Sequence, residues 1–273
     1  MPTLHPRNTA FSWSEHRGPL CTVTPQQAAA YDESGFFVLE DALSKAEVAA
    51  LSAAIDPFEA EVEDVLSAMD GGRFFIARAG EITFTTHLVT RSALLHAFTR
   101  SALLTGVCAD LVGPDVRLYW DQAVYKKPGT ESPFPWHQDN GYAFVEPQQY
   151  LTCWVALTDA TQENGCPWVV PGLHRMGTLA HEHSDIGFVC LRDPADAVPV
   201  PASAGSIVVF SSLTPHSTGP NRTDAVRKAY IVQYAPDGAV VIRSELGRAS
   251  LRVRADDASR QYEVLRGGEL VGP

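Results

Sequence analysis

Cysteine pairs are missing from this chain, and their absence argues against two common kinds of stabilising framework. The 273 residues include five cysteines, an odd number, and no two of them form a Cys-x-x-Cys pair. Disulfide frameworks use cysteines in even numbers and structural zinc sites use close pairs, so we expect neither. Instead we expect free thiols, most of them buried, as in a reducing cytoplasm.

Positive charge and long apolar runs are also scarce. Lysine and arginine number 21 against 32 aspartates and glutamates, which gives a net charge of −11. Nucleic-acid-binding proteins need a basic surface, so we expect no nucleic-acid partner. No run of eighteen apolar residues occurs and the first 17 residues have no apolar signal core. We therefore expect no membrane span and a cytoplasmic location.

What the chain does contain is typical of a soluble globular protein. Hydrophobic residues make up 45% of the sequence and charged residues 19%. This composition and length favour a single domain over residues 1–273.

Helix signals dominate residues 1–115, which we expect to form a mainly helical flank with the first strands. Thr24-Pro25 predicts an N-cap followed by a first helical turn. Ser44-Lys45-Ala46-Glu47 is a capping box ahead of an apolar-periodic stretch, which Pro57 is expected to kink or break. A further helix is expected over Ser92–Leu111, with Gly113 at its C-terminal cap.

Residues 116–236 have a different character, with short β-prone runs between Gly, Pro and Asn turns. Strands are predicted at Val116–Tyr125, Leu151–Leu157, Trp168–Val170, Ser206–Phe210 and Ala229–Tyr234. A regular succession of short strands favours a sandwich or jelly roll, with the helices packed on one outer face. Residues 237–273 form a C-terminal extension that is partly extended in character and is not placed by the pattern.

One motif points to a metal site. In Trp136-His137-Gln138-Asp139 the His and Asp are two residues apart, so on an extended segment both side chains point the same way and Gln138 turns away. With a distant His216 they make two imidazoles and one carboxylate, the facial ligand set of non-haem Fe(II), whose opposite face stays open for a cosubstrate and O2. His-x-Asp alone is weak evidence, because it also arises by chance.

The residues after His216 supply what such an iron site needs. A 2-oxo acid can chelate iron and donate two electrons, but its far carboxylate needs a fixed cation. Arginine suits this task because its planar fork pairs with both carboxylate oxygens. Arg227 begins the next predicted strand, and Thr218 can add a hydroxyl hydrogen bond. Arg222 is the alternative, but it lies in a turn-like segment and is expected to face water.

Here the chain resembles the phytanoyl-CoA dioxygenase family over most of its length, from about residue 24 to residue 234. Leu173 stands where the family has Ser in its Pro-Gly-Ser-His pattern. Arg227 follows His216 by eleven residues, the family spacing. The other matching segments are Tyr31–Leu39, Tyr125–Gly129, Trp136–Asp139 and Asn164–His174.

This resemblance implies an iron- and 2-oxoglutarate-dependent oxygenase on a cupin-like double-stranded β-helix, mainly β with flanking helices. Its implied cofactors are Fe(II), 2-oxoglutarate and O2. The resemblance assigns iron to His137, Asp139 and His216, and 2-oxoglutarate to Arg227, Thr218 and Trp154, with Gln122 or Lys127 as further neighbours.

Asp139 also bears on the reaction. Related halogenases have Gly or Ala where this carboxylate stands, so the resemblance implies hydroxylation of a small organic molecule with release of succinate and CO2. Desaturation, cyclisation or another C–H oxidation is the alternative on the same iron. A noncatalytic ligand-binding jelly roll is the alternative of another class. The oligomeric state is open, and a homo-oligomer is an option.

For several residues near these motifs we favour a structural or surface role over a catalytic one. His174 is expected to fix a loop, and His181-Glu182-His183 to be exposed or part of a lid. His87 is expected to have a packing or surface role rather than to reach the substrate. We expect the substrate to enter between the mouth of the roll and two flanking segments, Phe74–Leu88 and Gln138–Phe144. Four aromatic residues are as compatible with core as with pocket wall: Phe134, Trp136, Tyr142 and Phe144.

Overall fold

The helices of the N-terminal half begin where their caps predict. The computed structural model describes residues 2–16, 18–243 and 250–272. Within them the Thr24 and Ser44 side chains each accept a hydrogen bond from the backbone N–H three residues on, and both capping boxes are complete. The α-helices are α1 (Pro25–Ser34), α2 (Lys45–Ala68), α3 (Ala93–Phe98), α4 (Ala102–Leu111) and α5 (Asp139–Tyr142).

Helix α2 is continuous through Pro57, so, of the expected kink or break at the proline, the break is wrong. It runs for 24 residues with Pro57 inside. Val48, Leu51 and Ile55 on the N-terminal side of the proline and Leu66 on the other side are all buried. Burial of both halves against one core offsets the backbone hydrogen bond that proline removes.

The expected helix over Ser92–Leu111 is divided into α3 and α4. Between them the carbonyl of Thr99 accepts a hydrogen bond from the Tyr234 hydroxyl at 2.7 Å. The Ser101 backbone is extended (φ −59°, ψ 149°), so a second helix starts there. A tertiary contact thus divides a stretch that is helical by local pattern. Gly113 follows α4 at φ 131° as expected, and its N–H donates to Cys108.

The predicted strands are present, with bounds that differ by one or two residues. Short 3₁₀ turns lie at Asp70–Gly72, Leu88–Thr90 and Leu173–Met176. The strands are β1 (Phe36–Leu39), β2 (Arg73–Phe74), β3 (Ala77–Arg78), β4 (Ile82–Thr86), β5 (Val116–Lys126), β6 (Phe134–His137), β7 (Phe144–Glu146), β8 (Leu151–Ala156), β9 (Pro167–Val169), β10 (Glu182–Ser184), β11 (Gly187–Val189), β12 (Val198–Pro199), β13 (Ile207–Ser211), β14 (His216–Thr218), β15 (Arg227–Pro236), β16 (Val240–Arg243), β17 (Leu251–Arg254), β18 (Glu263–Arg266) and β19 (Glu269–Leu270).

Two antiparallel sheets make the roll. The larger has the order β1-β13-β8-β15-β5-β4-β3-β2, and the smaller has the order β12-β9-β14-β6. Strands from distant parts of the chain alternate between the sheets, which is the jelly-roll arrangement. The expected fold class, mainly β with flanking helices on a jelly-roll core, is confirmed.

Strand β15 shows how the larger sheet separates two cores. Tyr230, Val232 and Tyr234 point to the helical layer and belong to the core shared with the helices. Ala229 and Ile231 point the other way, into the core between the sheets. Arg227 and Gln233 share this second face, as the two-residue period of a strand requires. The interior of the roll therefore receives Arg227 and Gln233, whereas Lys228 on the other face pairs with Asp56 of α2.

The C-terminal extension joins the roll at two places. Strand β16 pairs with β7 and with β17, while β18 pairs with Val116 and Arg117 at the start of β5 in the larger sheet. Neither pairing was assigned from the sequence. No helix among the described residues is long and apolar enough to cross a membrane.

Candidate metal centre and cavity

The three predicted metal ligands meet at one end of the smaller sheet. His137 ends β6 and His216 begins β14, and the two are directly opposite in the register of this strand pair. Their ring centroids are 4.1 Å apart, and His216 Nε2 lies 3.8 Å from Asp139 Oδ1. One donor atom from each of the three residues lies within 4.8 Å of the others. Donors this close together can bind one metal ion.

Backbone carbonyls orient both imidazoles. The Nδ1 of His137 donates to the Pro135 carbonyl at 2.8 Å, and the Nδ1 of His216 donates to the Thr214 carbonyl at 2.9 Å. A carbonyl only accepts, so each ring donates through Nδ1 and leaves Nε2 as the nitrogen available to a metal. Burial, reinforced by His216, holds the pKa of His137 well below its usual value of 6.5. The neutral form is the one that binds metal.

Asp139 is oriented by a second strand. It opens α5 rather than ending β6, and its Oδ2 accepts a hydrogen bond from the Thr152 hydroxyl at 2.6 Å. The Gln233 amide in turn donates to Thr152 Oγ1 at 3.3 Å. This chain of hydrogen bonds leaves Oδ1 directed at His216. Gln138 turns away, as the spacing predicts, and its buried amide binds the carbonyls of residues 177 and 213.

His181 is closer to the metal centre than the sequence suggested. Its Nε2 accepts the backbone N–H of Gln138 at 3.0 Å, between two ligands, and its Nδ1 donates to the Leu179 carbonyl. Burial lowers the pKa of His181 to about 4. Of the expectation that this segment is exposed or part of a lid, exposure is wrong for His181, which is half-buried, whereas His183 is exposed. The polar residues next to His181 in the sequence favoured exposure. Its contact with Gln138 depends on how residues 177–181 fold back on β6, which the sequence pattern does not show.

Arg227 is fully buried at the start of β15 and has few partners. Its Nη1 lies 3.5 Å from the Val124 carbonyl, while Nε and Nη2 have no hydrogen-bond partner among the described residues. The guanidinium lies over the Trp154 ring, 5.4 Å from its centroid. Burial lowers its pKa to about 10, so it stays charged at neutral pH. A buried cation in this state fits a carboxylate, such as that of 2-oxoglutarate. Arg222, the alternative, is exposed.

The other predicted cosubstrate neighbours divide into two groups. Thr218, Trp154 and Gln122 line the same cavity as Arg227 and the three metal ligands. Lys127 is not brought to the site, because its ammonium group pairs with the buried Glu59 at 2.6 Å. It is absent from the described residues that line the cavity.

Lys126, which the sequence analysis overlooked, lies beside the site instead. Its Nζ donates to the Gly219 carbonyl at 2.5 Å and to Thr218 Oγ1 at 3.2 Å. Burial, reinforced by Arg227, lowers its pKa to about 6. The signal for it was present in the sequence: Gln122, Val124 and Lys126 alternate along β5, so a strand that directs Gln122 inward also directs Lys126 inward.

These residues open into a cavity of about 470 Å³. Its walls include residues 74–77 and residues 142–143, from both segments expected to flank the entrance. Four aromatic residues were expected to lie either in the core or in the pocket wall. Of these, Phe134 and Tyr142 line the cavity, and Phe144 is buried against His5. Trp136 is not among the described lining residues.

The remaining histidines named from the sequence lie behind these walls. His174 is buried against Trp13, with ring centroids 4.4 Å apart. His87 lies edge-on to Trp120, a lining residue, with ring centroids 4.3 Å apart. Neither side chain lines the cavity.

Comparisons with known proteins agree with this geometry. The profile of the family described as phytanoyl-CoA dioxygenase matches residues 31–229. A methylphosphonate hydroxylase of Gimesia maris is 31% identical over 221 residues, covering 78% of this chain and 81% of that protein. A phytanoyl-CoA dioxygenase of Arabidopsis thaliana is 23% identical over 247 residues, covering 77% and 87%.

A solved structure has the same fold. EvdO2 of Micromonospora carbonacea, in complex with 2-oxoglutarate, superposes with a TM-score of 0.63 at 26% identity, covering 86% of this chain and 95% of that one. The family profile covers most of the chain, and the two histidines, the aspartate and the buried arginine lie within it. This chain therefore belongs to the phytanoyl-CoA dioxygenase family, and it is an iron- and 2-oxoglutarate-dependent oxygenase.

Proposed function

We propose that this enzyme hydroxylates a C–H bond of a small organic molecule held in the 470 Å³ cavity. The observation that carries the proposal is the convergence of the three metal ligands and Arg227 on this one cavity. The Nε and Nη2 of Arg227 have no hydrogen-bond partner among the described residues. Its volume is within the range of roughly 300–1,000 Å³ typical of small-molecule sites. All of these residues belong to one chain, so the proposed site needs no partner subunit.

In the proposed mechanism the protein's residues bind and orient. His137 and His216 bind iron through Nε2, and Asp139 through Oδ1, while Thr152 holds the second carboxylate oxygen. Iron with 2-oxoglutarate and O2 supplies the oxidant that converts C–H to C–OH, while 2-oxoglutarate leaves as succinate and CO2. Arg227 binds the far carboxylate of 2-oxoglutarate, and Thr218 and Trp154 border it.

Aromatic side chains shield the proposed reaction centre from water. Phe134 lies edge-on to His137 with ring centroids 5.0 Å apart, and Phe210 lies 4.6 Å from His216. Rigid walls next to the metal ligands hold a bound molecule in one pose, and pose decides which C–H bond reacts.

Two findings support hydroxylation. Asp139 retains the carboxylate ligand, which opposes halogenation, and the relative from Gimesia maris is named a hydroxylase. A noncatalytic ligand-binding protein has no need for a complete triad beside a buried cation.

We also infer a single domain over residues 1–273 that works in the cytoplasm on a small molecule rather than on a nucleic acid. Cys108, Cys153 and Cys166 are free and buried, which suits a reducing compartment. The net charge of −11 opposes a polyanionic partner.

Two measurements test the proposed function. Anaerobic addition of Fe(II) and 2-oxoglutarate to the purified protein should produce a visible charge-transfer band, and admission of air should yield succinate. His137→Ala and Asp139→Ala should abolish both signals, whereas His96→Gln, remote from the cavity, should leave them unchanged. Succinate formation by metal-stripped wild-type protein would falsify the assignment.

A further inference from the structure

We propose that the substrate is an uncharged, largely apolar, ring-containing molecule that binds against an aromatic wall of Tyr119, Trp120 and Tyr150, and that this site rejects phosphonates and other anions. This inference rests on the proposed function and specifies its substrate class.

The charge of the cavity lining is the first observation. Among the described residues that line it, only Asp139 and Arg227 carry a formal charge. Asp139 faces the metal site and Arg227 faces the cosubstrate. Lys126 is hydrogen-bonded to Thr218 and Gly219 and is not part of the lining. Arg243 and Arg260 act electrostatically on Tyr119, but neither lines the cavity.

Among the described lining residues, an anionic substrate therefore finds no cation other than Arg227. Transferring a charged group from water into an apolar site is unfavourable unless a partner charge and hydrogen bonds replace its hydration. A phosphonate would need such a partner in addition to Arg227, because 2-oxoglutarate occupies that arginine during turnover. A neutral molecule meets no such requirement.

A β-bulge builds the aromatic wall. In the pairing of β15 with β5, Gln233 lies opposite Trp120 and Tyr234 lies opposite Leu118, so Tyr119 is the extra residue. Successive residues of a regular strand point to opposite faces, but a bulge re-aims a side chain. Here Tyr119 and Trp120 both line the cavity, and Tyr150 lies edge-on to Tyr119 with ring centroids 5.1 Å apart.

The wall is held from behind by the C-terminal segment. His87 packs edge-on against Trp120, and Arg260 donates to His87 Nε2 at 2.8 Å. Asp257 pairs with Arg260 at 2.9 Å. The Trp120 indole also donates to Gln122 at 3.2 Å. A tryptophan fixed on two sides presents a preformed flat surface, which favours a ring over a flexible chain.

The cavity mouth has the same chemical character. Phe74 and Phe75 line it and are 66% and 48% exposed. Phe75 faces Tyr142 at 6.4 Å, and Tyr142 faces Phe188 of β11 at 5.1 Å. Exposed apolar side chains of this kind mark a surface that binds apolar molecules. Aromatic side chains thus line the cavity both at the mouth and beside the metal ligands.

The test uses a matched pair of probes that differ in charge. Protein loaded with Co(II) and saturating 2-oxoglutarate is dialysed to equilibrium against methyl 2-naphthoate, 2-naphthoate or methylphosphonate. We expect saturable binding of the ester, with the carboxylate weaker by about tenfold or more because its charge stays unpaired. Methylphosphonate should show no saturable binding. An equal or tighter Kd for either anion, or no saturable binding of the ester, overturns the inference.

Variants of the wall test the location. Trp120→Ala should weaken ester binding by about tenfold, because a contact between two aromatic rings contributes about one factor of ten in affinity. Trp120→Phe should restore most of the affinity, because phenylalanine keeps an aromatic ring at this position. Trp13→Phe is the matched control, since Trp13 packs on His174 outside the cavity. Ester binding that is the same in Trp120→Ala and wild type would contradict the assignment.

The same preparation separates this inference from the proposed function. The visible band with anaerobic Fe(II) and 2-oxoglutarate reports the iron site independently of any probe. A normal band together with preferred binding of an anion rejects the substrate class alone. Absence of the band rejects the proposed function, whatever the ester does.

Discussion

At the scale of single residues, the metal-binding side chains are oriented by neighbours that lie outside the His-x-Asp motif. Two backbone carbonyls fix the imidazoles, and the Thr152 hydroxyl fixes one oxygen of Asp139. Such outer partners commonly change metal affinity by roughly 10- to 100-fold when they are removed. The identity of the ligands therefore accounts for only part of the binding site.

Thr152→Val tests this contribution, since valine keeps the shape and removes the hydroxyl. We expect the Kd for Fe(II) or Co(II) to rise by about tenfold or more, because Asp139 then loses its 2.6 Å hydrogen bond. Thr152→Ser should restore the affinity. The control is Thr105→Val, which removes a hydroxyl that binds only the backbone of α4. Unchanged metal affinity in Thr152→Val, measured by calorimetry, would show that the hydroxyl has no orienting effect.

Arg227→Lys tests the carboxylate-binding arginine. Lysine keeps the charge but loses the planar fork, and hydrogen bonds to charged groups contribute about 1.5–3 kcal/mol. The KM for 2-oxoglutarate should therefore rise by roughly ten- to a hundredfold, with a smaller change in kcat, in a succinate assay. Arg222→Lys, at the exposed arginine five residues earlier, should leave KM unchanged. A larger effect at Arg222 than at Arg227 would reverse the assignment.

At the scale of secondary structure, irregularities carry specific consequences. The β5 bulge brings two neighbouring aromatics to one face, and the division between α3 and α4 lets Tyr234 reach the Thr99 carbonyl. Helix α2 shows the opposite case, since its proline leaves the helix continuous. In each case long-range packing overrides what the local pattern favours.

Pro57→Ala should therefore stabilise the protein. Pro57 is exposed within α2, so alanine restores a backbone N–H without disturbing the core. Alanine is the better residue in a helix interior, and we expect the free energy of unfolding to increase by about 1–3 kcal/mol. Urea unfolding measures it, with Ala60→Gly at another exposed α2 position expected to change stability in the opposite direction. A lower midpoint for Pro57→Ala would show that the proline suits this helix.

At the scale of the whole molecule, buried neutral histidines make stability depend on pH. Burial lowers the pKa of His174 and that of His181 from 6.5 to about 4. Each side chain is easier to protonate in the unfolded chain than in the folded one. The stability that they contribute is complete above pH 6.5 and is lost as the pH falls through about 4.

His174→Gln isolates one of these groups away from the metal site. Over the range from pH 6.5 to about 4, His174 should account for about 3 kcal/mol of lost stability, at about 1.4 kcal/mol per pKa unit. The variant should therefore lose less stability than wild type between pH 7 and pH 4.5. Urea unfolding of metal-free protein at several pH values measures the difference. Parallel curves for the two proteins would show that His174 does not titrate on unfolding.

The predictable part of the site is the part encoded within a few residues. Two-residue alternation placed His137 and Asp139 on one side, and the same alternation identifies Lys126 once Gln122 is known to point inward. The spacing of Arg227 from His216, read through the family resemblance, placed a guanidinium on the cavity wall. His181 had no such signal, because its partner is a backbone N–H 43 residues away in sequence.

The sequence by itself determined the ligand chemistry, the helix caps and the positions of most strands, because these depend on side-chain type and on periods of two to four residues. The tertiary structure decided which lysine approaches the cosubstrate side, which aromatics face the cavity and how Asp139 is held. Those outcomes depend on the register between strands far apart in the chain, and one bulge in β5 is enough to change which side chains point inward.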